Sequence, residues 1–342
     1  MKFLKKIMVL CAFIAGMGTA GSLMAAGNEL PELGGSTAAK SANAYSAKAS
    51  LARDAVCTRC HDESEKTPIL SLYQTKHGVR GDSRTPNCQT CHGESAKHLQ
   101  GNTDGKGRPS PDVVFKKGVY SVADETTRSN VCLTCHKGTA RTNWGGSQHQ
   151  SNQVACNSCH KVHAPVDKVR DRKTQTEVCF TCHKEQRADT HKISAHPIDA
   201  GKVICSDCHN PHGSVAPKLL KKNTVNETCF LCHAEKRGPF LWEHQHATEA
   251  CTNCHTPHGS NISPLLKSRT PFLCDECHDG PHNSQASYGA NVAGIQGGAA
   301  AGLVANTTGP TAPGSNQVGR ACMNCHVMVH GSNSPAGAFL HR

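Results

Sequence analysis

Residues 177–187 read EVCFTCHKEQR and residues 205–214 read CSDCHNPHGS; further on, residues 227–237 read ETCFLCHAEKR and residues 251–260 read CTNCHTPHGS. The same two-part unit is written twice, and each part carries C-x-x-C-H. Units open at Cys132, Cys179, Cys229 and Cys274, in steps of 47, 50 and 45 residues. Self-similarity at such a period means an array in which each unit touches mainly its neighbours.

Working outward, the motif accounts for almost every cysteine. The triplets are Cys57/Cys60/His61, Cys88/Cys91/His92, Cys132/Cys135/His136, Cys156/Cys159/His160 and Cys179/Cys182/His183. They continue with Cys205/Cys208/His209, Cys229/Cys232/His233, Cys251/Cys254/His255, Cys274/Cys277/His278 and Cys322/Cys325/His326. Of 21 cysteines, Cys11 alone falls outside, within an apolar leader. Two thiols three positions apart reach the two vinyl groups of one haem, and the next residue brings an imidazole under the iron. Zinc sites need four ligands, and neither zinc nor a disulfide needs a histidine after every second cysteine. Ten repetitions of the full motif therefore predict ten covalently bound haem c groups.

Each iron needs a ligand on its other face. Of six methionines, Met1, Met8, Met17 and Met24 belong to the leader and Met323 lies between two cysteines of its own motif, so only Met328 is left. Histidine is the alternative, with 13 of 23 outside the motifs. Ten are expected as distal ligands: His77, His98, His149, His163, His196, His212, His244, His258, His282 and His330. His163, His212 and His258 lie three residues after a motif histidine, and His282 and His330 lie four after. At that spacing a side chain cannot pass round its own macrocycle, so each is expected to bind an adjacent haem. His149 and His244 each precede a motif cysteine by seven residues, which favours His244 over His246. His191 and His341 are set aside as solvent or propionate contacts. Irons held by two imidazoles have low potentials and no vacant position for a substrate, which predicts an electron carrier and not an enzyme.

The chain has 342 residues, 4 % of them aromatic and 37 % hydrophobic. That is too little apolar mass for a large side-chain core. The rings must be the core, with about 32 residues wrapped around each, against roughly 100 in an ordinary domain. The predicted fold is a multihaem cytochrome c: an extended haem-cored array of short α-helices of two or three turns and irregular loops, with almost no β-sheet. Residues 1–26 read as a secretory signal, with Lys2, Lys5 and Lys6 before an apolar run from Ile7 to Ala20 and cleavage after Ala26, or alternatively after Ala20 or Ser22. The segment 27–50 is Ala/Ser/Gly-rich and expected to be flexible, and 51–342 forms the decahaem domain. Within that domain, 99–128 reads as a loop and 283–319 as a long Gly/Ala-rich loop.

The formal charge of +11 falls to +8 without the signal. Two propionates per haem add about −20, so the basic residues serve as counter-ions to haem. There is no basic run with interleaved aromatics, and nucleic acid is excluded as a partner.

The stretches CSDCHNPHGS (205–214), CHAEKRGP (232–239), LWEH (241–244) and VHGSN (329–333) resemble the MtrA/DmsE family of periplasmic decahaem cytochromes from bacterial porin–cytochrome conduits. The similarity extends more weakly back to Cys57. The regions around Trp144 and Leu241 are also similar, and support His149 and His244 as ligands. The resemblance implies a chain of ten bis-histidine haems inserted through an outer-membrane β-barrel porin. Its electron partners would be periplasmic or inner-membrane cytochromes on one side. On the other would be an extracellular multihaem cytochrome or terminal reductase, serving reduction of metal oxide or dimethyl sulfoxide, or oxidation of Fe(II). A soluble periplasmic shuttle is the second reading, and a multihaem reductase of nitrite or sulfite type the third.

Overall fold

A computed structural model describes residues 47–78, 85–101, 105, 107–270, 272–278 and 322–341. The signal, residues 27–46, His282 and the 283–319 loop lie outside the described residues. The described chain is a series of short helices joined by turns, without a strand. Four isolated antiparallel bridges are its nearest approach to a sheet.

The motif spacing dictates one helical turn. The histidine N–H donates to the carbonyl of the first cysteine at 2.9–3.1 Å in nine of the ten motifs, for example His160 to Cys156 and His233 to Cys229. This i→i−4 closure places both sulfurs and the imidazole on one turn. Most motif helices are therefore shorter than the two or three turns the sequence suggested. Odd-numbered motifs sit at the C-terminal end of a helix, as Cys57 does in Ala47–Thr58, Cys132 in Glu125–Leu133 and Cys179 in Gln175–Phe180. Even-numbered motifs form their own single turn, as in Cys88–His92, Cys156–Cys159 and Cys205–Cys208. The helix from Ala47 also corrects the expected boundary at residue 50, and Glu125–Leu133 takes over the end of the expected 99–128 loop. Its start is set by Asp124, whose side chain caps the Thr127 N–H.

Among the described residues the buried apolar set is Leu72, Trp144, Ala155, Ile198, Ile204 and Ala216. Buried polar residues outnumber it, and several tie the two motifs of a unit together. Asp54, three residues before Cys57, accepts from the Cys88 N–H at 3.0 Å and the Tyr73 hydroxyl at 3.0 Å. At the same position before Cys229, Asn226 accepts from the Cys251 N–H at 2.7 Å and donates to the carbonyls of Ala247 and Thr248. Gln175 accepts from the Ser206 N–H at 3.0 Å. A buried side chain with every polar atom satisfied specifies one arrangement of its unit.

Successive units meet at the glycine of the HG dipeptide. A Cβ on Gly259 would overlap the carbonyl of Asp189, and one on Gly213 the carbonyl of Asn143. Gly213 and Gly331 also have φ of +110° and +120°, where glycine is favoured. Bridges run beside two of these contacts, Ser194 to Ser260 and Trp242 to Ser332. Gly259→Ala is expected to cost about 2–3 kcal/mol by forcing the neighbouring backbone away. Thermal melts would show it as a lower transition temperature, whereas alanine at the open position Gly145 should leave the melt unchanged.

Candidate haem sites

The structure brings the histidines together in twos. His61 faces His98 with ring centres 6.2 Å apart, His136 faces His77 at 5.9 Å, and His92 faces His163 at 6.3 Å. His183 faces His149 at 6.1 Å, His160 faces His212 at 6.0 Å, and His233 faces His196 at 6.3 Å. The last three pairs, His209–His258, His278–His244 and His255–His330, are each 6.1 Å apart. Two metal–nitrogen bonds of about 2.0 Å, with about 1.1 Å from each nitrogen to its ring centre, give roughly 6.2 Å. The nine pairs fit an iron between imidazoles.

Every pair joins one motif histidine to one of the expected distal histidines. The partner is not in the adjacent motif, however. His163 follows the fourth motif and faces the second, His212 follows the sixth and faces the fourth, and His149 follows the third and faces the fifth. A histidine near its own haem is thus presented to the haem two motifs away. The first motif departs from this rule, because its partner His98 follows the second motif.

Imidazole orientation is set from the far nitrogen. Nδ1 of His98, His149, His163, His196 and His244 bonds to the carbonyls of Pro109, Pro211, Ile69, Pro257 and Val329 at 2.7–2.9 Å. Among motif histidines, His92, His209, His255 and His326 do the same with Val113, Lys218, Pro264 and Phe339. A carbonyl accepts only, so Nδ1 carries the proton and Nε2 is left as the ligating atom. Burial pushes His212 down to about 4 and lowers His92, His258 and His330, keeping these rings in the neutral form a metal requires. The irregular stretch after Gly101 supplies Pro109 and Val113, and so fixes His98 and His92. Its sequence carries no signal for that role beyond proline and glycine.

The three histidines set aside behave differently. His191 bonds to Asp199 at 2.9 Å and His246 to Glu249 at 3.2 Å, both at the surface. His341 lies against His326 with Nε2 atoms 3.4 Å apart and ring centres 4.3 Å apart, too close for an intervening iron. Among the described residues no three His, Cys, Asp or Glu side chains converge on a metal-ion site, whereas histidines facing in twos recur along the chain.

The cysteines order the motifs. First cysteines meet within units: Cys57 with Cys88, Cys132 with Cys156, Cys179 with Cys205, Cys229 with Cys251 and Cys274 with Cys322. Second cysteines approach across units: Cys91 with Cys135, Cys159 with Cys182, Cys208 with Cys232 and Cys254 with Cys277. The two kinds of contact alternate without a gap, and the ten motifs follow one another in chain order.

Cys60 and Cys325 correct the expectation that all the motif cysteines are equivalent. Both are exposed, and among the described residues neither is brought against a cysteine of another motif, unlike the other second cysteines. The reason is position. Cys60 is the second cysteine of the first motif and Cys325 that of the last, so no further motif follows in the array for either sulfur to meet. They mark the two ends of the series. The motif alone, identical in all ten copies, does not distinguish an end from a middle.

The doubled CXXCH motif family matches residues 196–238 and 244–283, and the cytochrome c-type protein NrfB-like family matches residues 88–174. The chain is 41 % identical over 290 residues to the multiheme cytochrome MtrA of Shewanella baltica, covering 84 % of this chain and 80 % of that protein. It is also 29 % identical over 131 residues to the cytochrome c-type protein NrfB of Haemophilus influenzae, covering 33 % of this chain and 56 % of that protein. The doubled motifs and the MtrA relative together establish covalently attached haem c in more than one copy.

Proposed function

The chain belongs to the MtrA family of multihaem c-type electron-transfer cytochromes, and from there we propose that it is a ten-haem wire through an outer-membrane β-barrel porin. The observation that carries the proposal is the alternation of cysteine contacts, which strings all ten motifs into one path. Each motif's two cysteines would hold one haem, with the motif histidine and its facing partner as axial ligands. His282 is proposed for the tenth. Haem c supplies one-electron exchange at iron. The chain's own work is to fix the spacing and order of the sites and to set each imidazole through its Nδ1 partner.

Paired imidazoles at nine motifs argue for transfer over turnover, because a reductase keeps one position open to its substrate. No helix among the described residues is long and apolar enough to cross a membrane. Crossing would therefore depend on the porin. Periplasmic or inner-membrane cytochromes would meet one end and an extracellular multihaem cytochrome or terminal reductase the other.

The test is purification from membranes followed by reconstitution in liposomes loaded with reduced methyl viologen, with ferric citrate outside. Dye oxidation that requires both cytochrome and barrel supports the conduit. A monodisperse cytochrome that never co-purifies with a barrel would establish the periplasmic shuttle instead.

A further inference from the structure

The fourth motif breaks the pattern of imidazole partners. In the second, sixth, eighth and tenth motifs, Nδ1 of the proximal histidine meets a neutral backbone carbonyl, that of Val113, Lys218, Pro264 or Phe339. In the fourth, His160 Nδ1 meets the Asp167 carboxylate at 2.6 Å. The other carboxylate oxygen accepts the Lys161 N–H at 3.3 Å, so the group is held at both ends. The nearest cation does not neutralise it, because Lys161 Nζ is turned to the carbonyls of Asn157 and Ser158. The contact is partly shielded, with side-chain exposures of 34 % for His160 and 22 % for Asp167. A similar contact, His61 with Glu65 at 2.8 Å, is more open at 44 % and 40 %. His233 Nδ1 lies 3.8 Å from Glu235, beyond hydrogen-bond length.

An anionic acceptor draws the Nδ1 proton more strongly than a carbonyl does. It raises electron density on Nε2 and makes the imidazole a stronger ligand to an oxidised metal. We propose that Asp167 is a positioning residue that makes the fourth haem a low-potential step inside the wire, stabilising its ferric state. The inference rests on the ten-haem reading above. It goes beyond it by assigning one site a potential apart from its neighbours through a side chain that touches no haem ligand atom directly.

The experiment uses the full mature protein and its Asp167→Asn and Asp167→Glu variants. Intact mass comes first: a haem count below ten in the unsubstituted protein would refute the wire reading, independently of Asp167. With ten haems in each variant, spectropotentiometry and low-temperature electron paramagnetic resonance follow one site against nine. In Asp167→Asn the ferric-over-ferrous preference of one haem is expected to fall about tenfold, an upward shift of about 59 mV. The g-values of one low-spin component should move with it, and Asp167→Glu should restore both. No shift in Asp167→Asn, or an equal shift at all sites, would overturn the proposal. So would a shift that Asp167→Glu leaves unrepaired.

Discussion

Chain exported without haem attachment is expected to be unfolded. Its far-UV circular dichroism should show little helix, it should melt without a cooperative transition, and protease should digest it within minutes under conditions that spare the holoprotein. The reason lies in what is buried. Six apolar side chains are buried among the described residues, and two of them are alanines. Ordering a backbone costs about 1–2 kcal/mol per residue, and a set of that size cannot offset it over more than two hundred residues. The helices offer no independent support. Most are one turn long, and isolated helices below about 12 residues are marginal in water. Buried polar clamps such as Asn226 and Asp54 specify geometry once the units have met, but contribute only about 1 kcal/mol net per hydrogen bond. The missing apolar mass is the porphyrin faces. An apoprotein with native-like helicity and a sharp melt would show that the polypeptide has a core of its own, and the haem-cored account would fall.

That dependence explains what was legible beforehand. The motif C-x-x-C-H is local chemistry within one helical turn, so the cysteines, the proximal histidines and the unit phase could be read residue by residue. Distal histidines were legible as a set, because elimination left few candidates and because spacings such as His149 to Cys156 recur as His244 to Cys251. Their partners were not. His163 faces His92 and binds Ile69 through Nδ1, 94 residues away, and no periodicity encodes a contact of that span. The rule of reaching two motifs along emerges only when units stack, with Gly213 and Gly259 admitting the neighbouring backbone. Asp167 was illegible for another reason: its position is filled by a main-chain carbonyl in other units, so nothing in the residue type marks it out.

His212→Met is expected to interrupt transfer while leaving the equilibrium electron capacity intact. His212 faces His160 at 6.0 Å and 11°, is half-buried, and has Trp144 at 6.5 Å beside it. Methionine is long and flexible enough to reach the same iron, so the fourth haem keeps six ligands. A thioether favours the ferrous state, raising that site's potential by on the order of 100 mV. In a branched network, electrons would bypass the altered site. In this chain the fourth motif touches only its neighbours in sequence, through Cys132–Cys156 on one side and Cys159–Cys182 on the other. An electron arriving there sits in a well, and a depth of about 120 mV slows escape roughly a hundredfold. Flux across a reconstituted membrane should fall by about that factor, while reductive titration still consumes one electron per haem. The two readouts separate a blocked path from a misfolded protein, which would lose capacity as well. Unchanged flux would mean that electrons cross between non-consecutive motifs, and the single path drawn from the cysteine contacts would be wrong.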